Sequence, residues 1–477
     1  MKVLLASPSV PLETILPSRY RQRHRLWSWL GDEKPILGVQ PPYGLLYLSA
    51  YLKRAGHEVF FRDGFFHDPA AMVALMKREG IRVVGLSAVS YHWQKAIATA
   101  SAIKAALPDT FIVVGGAHAN ALEGAALDGA GEVFDAVVHG DGEETFVEIV
   151  GRLAEGCRDL KGVNGAITRE VTNPDRAPIK DLDSMPLADR SIIDLHDYRP
   201  SPFYYRRLPF TAIIGSRGCP YKCTFCHTET LTRVRSPQSL VAEIEHLQAQ
   251  YGVREVVFYD DTFPLKKKRV VEFCELMLSK GVQLSWSANA RCDSVTPELL
   301  RLMRRAGCWR LLFGIESGNQ KTLDRMLKKE TLDEIRHGIR ITQEAGIDTY
   351  GMFILGYPGE SYQDGLRTIE FAKELKLDYA NFCAVTPFPG TSLYREVKEE
   401  PGFLGYETMS MFDVSYVSRD ISRAQLETLV SQSARRFYLR PDYVLSRLQP
   451  SKLGSWEDVR RYGRGFAMVL NDVSTRV

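Results

Sequence analysis

Cysteine is scarce in this chain of 477 residues: there are eight, at positions 157, 219, 223, 226, 274, 292, 308 and 383, and residues 1–156 hold none. That is too few for a disulfide-stapled secreted scaffold. A secretory leader is not expected either, because MKVLLASPSV has neither a basic start nor a long apolar core, and a reducing, cytoplasmic location is expected. No uncharged apolar run reaches about 18 residues, so no transmembrane segment is expected. A surplus of one charge is also lacking. Lys and Arg number 61 against 58 Asp and Glu, a net charge of +3, which makes no electrostatic case for nucleic acid as partner. Internal repeats and low-complexity tracts are absent, and 45% hydrophobic with 25% charged residues excludes disorder and fibrous rods. The length suits about three domains.

What is present is patterned. Residues 2 to about 155 alternate short apolar runs (KVLLAS, HEVFFRD, RVVGLSAV, FIVVGGAH, DAVVHGDGEE) with amphipathic stretches such as YGLLYLSAYLKRAG and TFVEIVGRLAEG. Near-continuous β-branched runs with helical spacers predict a parallel sheet covered on both faces, a doubly wound, Rossmann-like α/β unit over residues 1–160. Ligands of such sheets sit beyond the carboxyl ends of the strands. There the sequence places Ser87, Ser90, Gly115, Gly116, His118, Gly140, Gly142 and Glu143. The glycines serve either close approach of a ligand or simply tight turns. No GxGxxG follows the first run, so a dinucleotide is not expected. Residues 9–42 form a long irregular insertion with Arg19, Arg21, Arg23, Arg25, Trp27 and Trp29, of the kind that is functional or disordered. Residues 161–208, rich in Asp, Pro and Arg, read as a linker.

A second series starts at residue 209. Runs TAIIGS, EVVFYDD, LSWSANA, RLLFGIE, DTYGMFIL and YANFCAVTP alternate with expected helices near 238–250, 267–280, 297–306, 319–345 and 362–376. Six such units with parallel crossovers predict a partial (β/α)6 TIM-type barrel over 209–395, its site at the carboxyl ends of the strands. Residues 396–477 read as a small, mostly helical C-terminal domain around SRAQLETLVSQSARRFYLRP. Residues 418–477 hold eleven Lys and Arg against six Asp and Glu, which suits a solvated helical face or a weak contact with an anionic substrate or a membrane surface. Phe437, Tyr438, Tyr443, Trp456 and Tyr462 either pack helices or line a site for an apolar, lipid or polycyclic substrate.

Three of the cysteines are crowded into GSRGCPYKCTFCH, directly after the first barrel strand, as Cys219, Cys223 and Cys226 in a C-x3-C-x2-C pattern. Soft thiolates select iron–sulfur clusters, and three on one short loop can meet three corners of a cubic 4Fe-4S cluster. One iron is then left open, which marks a reactive site. Structural zinc would need a fourth ligand, and His227 lies too close to Cys226 to complete a tetrahedron with it. Gly218 and Pro220 shape the loop. The five separate cysteines read as small buried hydrophobes.

The triad, with the aromatic Phe225 before its last cysteine, resembles the signature of the radical S-adenosylmethionine (SAM) family. PPYGLLYLSAYLKRAGHEV, VVGLSAVS, VVGGAHA and HGDGEETF are similar to the cobalamin-binding module that precedes many radical SAM barrels. YDDTF, SANAR, FGIESGNQ, FILGYPGE and TPFPGT are similar to the barrel of that subfamily. The resemblance covers roughly residues 1–395 and extends least to the tail. It implies that the open iron chelates the amino and carboxylate groups of SAM. One electron, from a donor such as flavodoxin or ferredoxin, then yields a 5′-deoxyadenosyl radical, and cobalamin is the second cofactor.

By the same resemblance Tyr259, Asp260 and Asp261 match the segment that meets the SAM amino group, although both aspartates also suit helix capping. Asn289 and Arg291 match ribose and carboxylate contacts. Glu316 ends the fourth strand at the same mouth, or makes a surface salt bridge. Gly356, Pro358 and Glu360 end the fifth strand beside the adenine. The eight N-terminal residues named above match loops around the corrin edge and nucleotide tail. The D-x-H-x-x-G that supplies a lower cobalt ligand in cobalamin domains is missing; Asp63 and His67 come nearest, at the wrong spacing. No protein histidine is therefore expected on cobalt, and a residue of the 9–42 insertion or the 87–93 loop is expected to cover that face.

The activity implied is a cobalamin-dependent C-methylation of an unactivated carbon in a small-molecule or lipid-like substrate. Cyclisation, oxidation or rearrangement without methyl transfer is the alternative. Transfer-RNA methylthiotransferases share the triad but need a second cluster on N-terminal cysteines, and residues 1–156 have none. A non-catalytic cobalamin carrier or sensor has no use for an intact triad.

Overall fold

The computed structural model describes residues 1–10, 39–198, 200–405, 414–447 and 455–475, with side chains up to residue 465. The arginines and tryptophans expected to matter in the 9–42 insertion lie outside the described residues. Two compact units are present: residues 1–10, 39–180 and 184–198 form the first, and residues 181–183 with those from 200 onward form the second.

The first unit runs β1 (Lys2–Ala6), α1 (Tyr43–Arg54), β2 (Glu58–Arg62), α2 (Pro69–Glu79), β3 (Val83–Ser87), α3 (Trp93–Ala106), β4 (Phe111–Gly115), α4 (Ala117–Leu122), β5 (Ala136–Val138), α5 (Gly142–Ala154) and β6 (Ala166–Ile167). The sheet order is β2-β1-β3-β4-β5-β6, parallel except for β6. Successive residues of one strand feed opposite layers: Leu4 and Ala6 join Val84, Leu86, Ile112 and Val114 on one face, whereas Val3 and Leu5 join Val83 and Val113 on the other. That two-sided burial is why these runs are apolar without alternation. Strand order reverses between β1 and β3, which puts the ligand crevice outside the carboxyl ends there.

The stretch expected as a linker over 161–208 is built into structure instead. It supplies β6. Asp189 accepts from Ser49 Oγ at 2.6 Å and pairs with Lys53 at 2.7 Å, and Tyr198 donates to the buried Asp63 carboxylate at 2.8 Å. Residues 161–198 are thus fastened to the first unit, apart from 181–183. Single anchors of this kind leave no periodicity for a sequence reading to find.

Burial drives the imidazoles of His118 and His92 down to about 4, Lys95 adding to the effect on His92. Both rings fold as neutral groups, while the unfolded chain takes up protons below about 6.5. The first unit therefore loses stability as pH falls from about 6.5 to about 4, by on the order of 3 kcal/mol for His118 alone. Thermal unfolding across that window checks it. The wild type should lose more than His118→Gln, and equal slopes would count against it.

The second unit runs β7 (Phe210–Ile213), the short hairpin β8 (Ser216–Arg217) and β9 (Arg233–Val234), α6 (Pro237–Tyr251), β10 (Glu255–Phe258), α7 (Lys267–Ser279), β11 (Ser285–Ala290), α8 (Pro297–Arg305), β12 (Cys308–Glu316), α9 (Gln320–Arg325), α10 (Leu332–Glu344), β13 (Asp348–Leu355), α11 (Tyr362–Glu374) and β14 (Tyr379–Ala384). The six long strands form one parallel sheet, β14-β13-β12-β11-β10-β7, alternating with helices. This is the expected partial barrel. The helix expected over 319–345 is two helices, because Leu327 and Lys329 take left-handed conformations (φ 52° and 53°) and Thr331 with Glu334 starts α10 with a capping box.

After α12 (Ser392–Val397), the tail forms α13 (Arg423–Tyr438), α14 (Pro441–Arg447) and α15 (Trp456–Thr475). An open parallel sheet leaves a strand edge with unpaired backbone groups. The tail closes it: the Tyr438 hydroxyl accepts from Ala380 N at 2.9 Å and donates to Ala380 O at 2.8 Å, and Tyr443 donates to Asp378 O at 2.7 Å. Phe437, Tyr438 and Tyr443 are thus packing residues, whereas Trp456 is exposed. The barrel floor is charged but paired. Glu255, fully buried and pushed up to about 7 by burial against the opposing pull of Arg310, accepts from the amides of Arg206 and Arg207 and from Trp309 Nε1. Among the described residues no helix is long and apolar enough to cross a membrane.

Candidate active site

The cysteine loop lies between β8 and β9. Gly218 has φ 85°, and a side chain there would strike the Leu231 carbonyl, so the loop can leave β8 only through glycine. Cys219 N donates to Glu229 O at 2.8 Å and Cys226 N to Cys223 O at 3.1 Å. Between the last two cysteines, Thr224 N donates to Met326 O at 3.0 Å, its carbonyl accepts from Leu393 N at 2.8 Å, and its hydroxyl meets the Tyr357 hydroxyl at 2.5 Å. Phe225, half-buried, packs against the core formed by Met326, Tyr357 and Leu393 and so helps to hold the loop. All three cysteines are free thiols. Among the described residues no three His, Cys, Asp or Glu side chains converge on a point that one metal ion could fill. A cluster, whose ligands bind separate irons, asks for a wider set, and three thiols on one loop are the donors it takes. Of the other five cysteines, Cys274, Cys292 and Cys308 are buried as expected, but Cys157 is exposed and Cys383 half-buried.

Beside the loop sits a buried charge network that the sequence reading caught only in part. Lys328 Nζ lies 3.4 Å from Glu316 and 3.5 Å from Glu330; Arg291 grips Asp293 through two bonds of 3.0 and 2.8 Å, lies 3.5 Å from Glu330 and stacks 3.7 Å from the centroid of the Tyr221 ring. Burial opposes the charge on Lys328, but Glu316 and Glu330 outweigh it and hold the ammonium above the ordinary lysine value. Burial raises the Cys223 thiol, with Lys328 and Arg291 pulling it back down, and holds Cys226 up to about 12, Asp261 adding to the effect. Glu316 has φ 67°, a conformation rare outside glycine that recurs at sites where function fixes the backbone. Lys328 and Glu330 fall inside the helix expected over 319–345. The signal for them is TLDE at 331–334, a capping box inside the expected helix.

Three expected SAM contacts change. The Asp260 carboxylate is fully buried, accepts from the amides of Gly215 and Ser216 at 2.6 and 3.0 Å, and pairs with Arg269 at 3.4 Å, so it braces β7 against β10 instead of meeting an ammonium group. The Arg291 fork is committed to Asp293. Gly356 faces the tail: a Cβ there would come within 2.7 Å of Leu426, so the glycine serves the docking of α13. Glu360 is buried and accepts from Ser317 Oγ and the amides of Gly356 and Tyr357, which fixes the turn after β13, and Pro358 is buried in that turn. Tyr259, Asp261, Asn289 and Glu316 do stand at the carboxyl ends of the strands. Asp261 accepts from Thr228 at 3.0 Å, and Asn289 donates to Asp260 O at 3.1 Å.

In the first unit the expected residues share the carboxyl edge of β3, β4 and β5. Ser87 ends β3 and Ser90 follows it; Gly115 ends β4, with Gly116 and His118 beginning α4; Gly140 precedes α5, whose first turn holds Gly142 and the buried Glu143. The loops are knitted together. Ala88 N donates to Gly115 O at 2.9 Å, His118 N to Ala88 O at 3.3 Å, and Gly140 N to Asn120 Oδ1 at 2.8 Å. The His118 ring is fully buried, 3.0 Å from Ser90 Oγ and packed on Trp93, so it supports the Ser90 loop and does not reach a corrin. Asp63 is likewise committed to Ser7 and Tyr198, and His67 turns back to the Asp63 carbonyl at 3.1 Å.

Residues 213–372 match the model of the radical SAM superfamily and residues 35–150 that of the B12 binding domain. The chain is 30% identical over 425 residues to an uncharacterized methyltransferase of Pyrococcus horikoshii, covering 86% of this chain and 91% of that one. It is also 30% identical over 428 residues to the anaerobic magnesium-protoporphyrin IX monomethyl ester cyclase of Cereibacter sphaeroides, covering 85% and 68%. The solved structure of the radical SAM methyltransferase TsrM from Kitasatospora setae, with cobalamin and a 4Fe-4S cluster bound, shares the fold with a TM-score of 0.69 at 18% identity, over 100% of this chain and 99% of that one. An open parallel barrel with a three-cysteine loop at its mouth, joined to a doubly wound unit, defines an enzyme that works with a cluster and a corrin. The chain belongs to the cobalamin-binding radical SAM family, and its cofactors are a 4Fe-4S cluster, SAM and cobalamin.

Proposed function

We propose that the enzyme is a C-methyltransferase acting on an unactivated carbon of a small or lipid-like molecule. The observation that carries this is the likeness to a methyltransferase across 91% of that relative's length, with the cysteine triad in place. Bound together, the cluster and SAM supply a hydrogen-abstracting radical, and cobalamin supplies a methyl group. The chain's task is to hold them. Cys219, Cys223 and Cys226 bind the cluster; Lys328 binds the SAM carboxylate, the task first assigned to Arg291; Tyr259 and Asp261 meet the amino group; Asn289 and Glu316 face the ribose side. Ser87, Ser90, Gly115, Gly116, Gly140, Gly142 and Glu143 form the corrin and nucleotide-tail loops. The electron comes from a flavodoxin- or ferredoxin-like donor in the cytoplasm, and nucleic acid is not a partner.

Cyclisation or rearrangement stays as a second reading, because the cyclase relative is as similar as the methyltransferase, 30% over 85% of the chain. Product counting separates them. Methyl transfer yields S-adenosylhomocysteine and deoxyadenosine in near-equal amounts, since one SAM recharges cobalamin and one makes the radical. A rearrangement yields deoxyadenosine with almost no S-adenosylhomocysteine, and that outcome would overturn the methyltransferase reading.

A further inference from the structure

The cluster loop is held unevenly. Its second half is fixed at Thr224 by Met326, Leu393 and Tyr357, and at Phe225 by the core beneath. Its first half is anchored at Cys219 by one bond, from the amide to the Glu229 carbonyl at 2.8 Å, and beyond that rests on the Tyr221 ring, which lies face-on to the Arg291 guanidinium at 3.7 Å from centroid to carbon. Arg291 is an unusual platform for a loop. It is 4% exposed, is clamped to Asp293 by two bonds, and touches Glu330 and the Lys329 carbonyl, so it has little freedom left. A cation over an aromatic face contributes about 0.5–1 kcal/mol when exposed and about 2 kcal/mol when desolvated.

We infer that Tyr221 and Arg291, with Asp293, are positioning residues for the iron–sulfur cluster, setting where Cys219 stands relative to Cys223 and Cys226. The stack ties the cysteine loop to the end of β11, so two elements that the chain brings together only by folding fix one ligand distance. This rests on the reading of the triad as cluster ligands. It gives the arginine a task other than binding SAM, and it needs the aromatic face of residue 221 but not its hydroxyl.

The test uses full-length protein reconstituted anaerobically with iron and sulfide, comparing wild type, Tyr221→Phe, Tyr221→Leu and Asp293→Asn. Iron and sulfide per chain, the paramagnetic resonance spectrum of the reduced cluster and the rate of cluster loss in air are the readouts, and thermal melts report that the second unit of each variant is folded. Tyr221→Phe should match wild type. Tyr221→Leu should lose its cluster several-fold faster in air and show a broadened spectrum. Asp293→Asn, which loosens the platform without altering the loop, should move the same way by less. Wild-type behaviour in both Tyr221→Leu and Asp293→Asn overturns the inference, and so does a Tyr221→Phe variant as poor as Tyr221→Leu. A wild-type chain that holds no cluster overturns the triad reading itself.

Discussion

Replacing any one of Cys219, Cys223 and Cys226 by Ala abolishes deoxyadenosine formation while leaving cobalamin binding intact. In the proposed assignment each thiol serves one iron, and a cluster that must keep one iron open for SAM has no spare ligand to lose. The expected drop is at least about a thousandfold, roughly 4 kcal/mol of lost barrier lowering. Cobalamin binding survives because the first unit has a core of its own on both faces of its sheet. Exposed Cys157 provides the control: Cys157→Ser should behave as wild type. Chromatography of deoxyadenosine after reduction, with the corrin absorbance of the purified protein, reads both halves. Deoxyadenosine at wild-type rates in any of the three variants removes that residue from the ligand set.

The parts of this molecule that are periodic were legible in the sequence. Strands at 255–258 and 348–355 follow from apolar runs between amphipathic helices, and the triad follows from spacing alone. What was missed depends on single side chains meeting across the fold. Asp260 looked available because a carboxylate at a strand end suits an ammonium group, but Arg269, nine residues on, turns back to meet it. Gly356 looked like a ligand-facing turn, yet the partner that requires a glycine is Leu426, seventy residues away. Lys328 and Glu330 were hidden by a helix pattern that continues on both sides of them. The left-handed residues at 327 and 329 break it, and local propensity carries only a weak trace of such a break. Of the two readings the sequence left open for the tail's aromatics, Tyr438 takes the packing one, since its hydroxyl satisfies the open edge of β14.

Lys328→Met weakens SAM binding by about tenfold to a hundredfold, the range expected when a hydrogen bond to a charged group is lost. The ammonium is nearly inaccessible, is shared by Glu316 and Glu330, and lies close enough to Cys223 to pull its thiol down. Unlike Arg291, whose fork is locked onto Asp293 by two bonds, it is a point charge held between Glu316 and Glu330. Removing it also leaves the buried Glu316 without a cation and Glu330 with Arg291 alone, which costs about 3–5 kcal/mol of stability unless Glu316 takes up a proton. Stability and binding therefore have to be read apart. Lys328→Arg keeps the charge and the fold but changes the donor geometry, so it should melt near wild type and still bind SAM less tightly. Calorimetric titration of cluster-loaded protein with SAM, beside thermal melts, separates the two effects. Full SAM affinity in a folded Lys328→Met variant would return the carboxylate to another cation, and Arg291, freed from Asp293, is the one placed to take it.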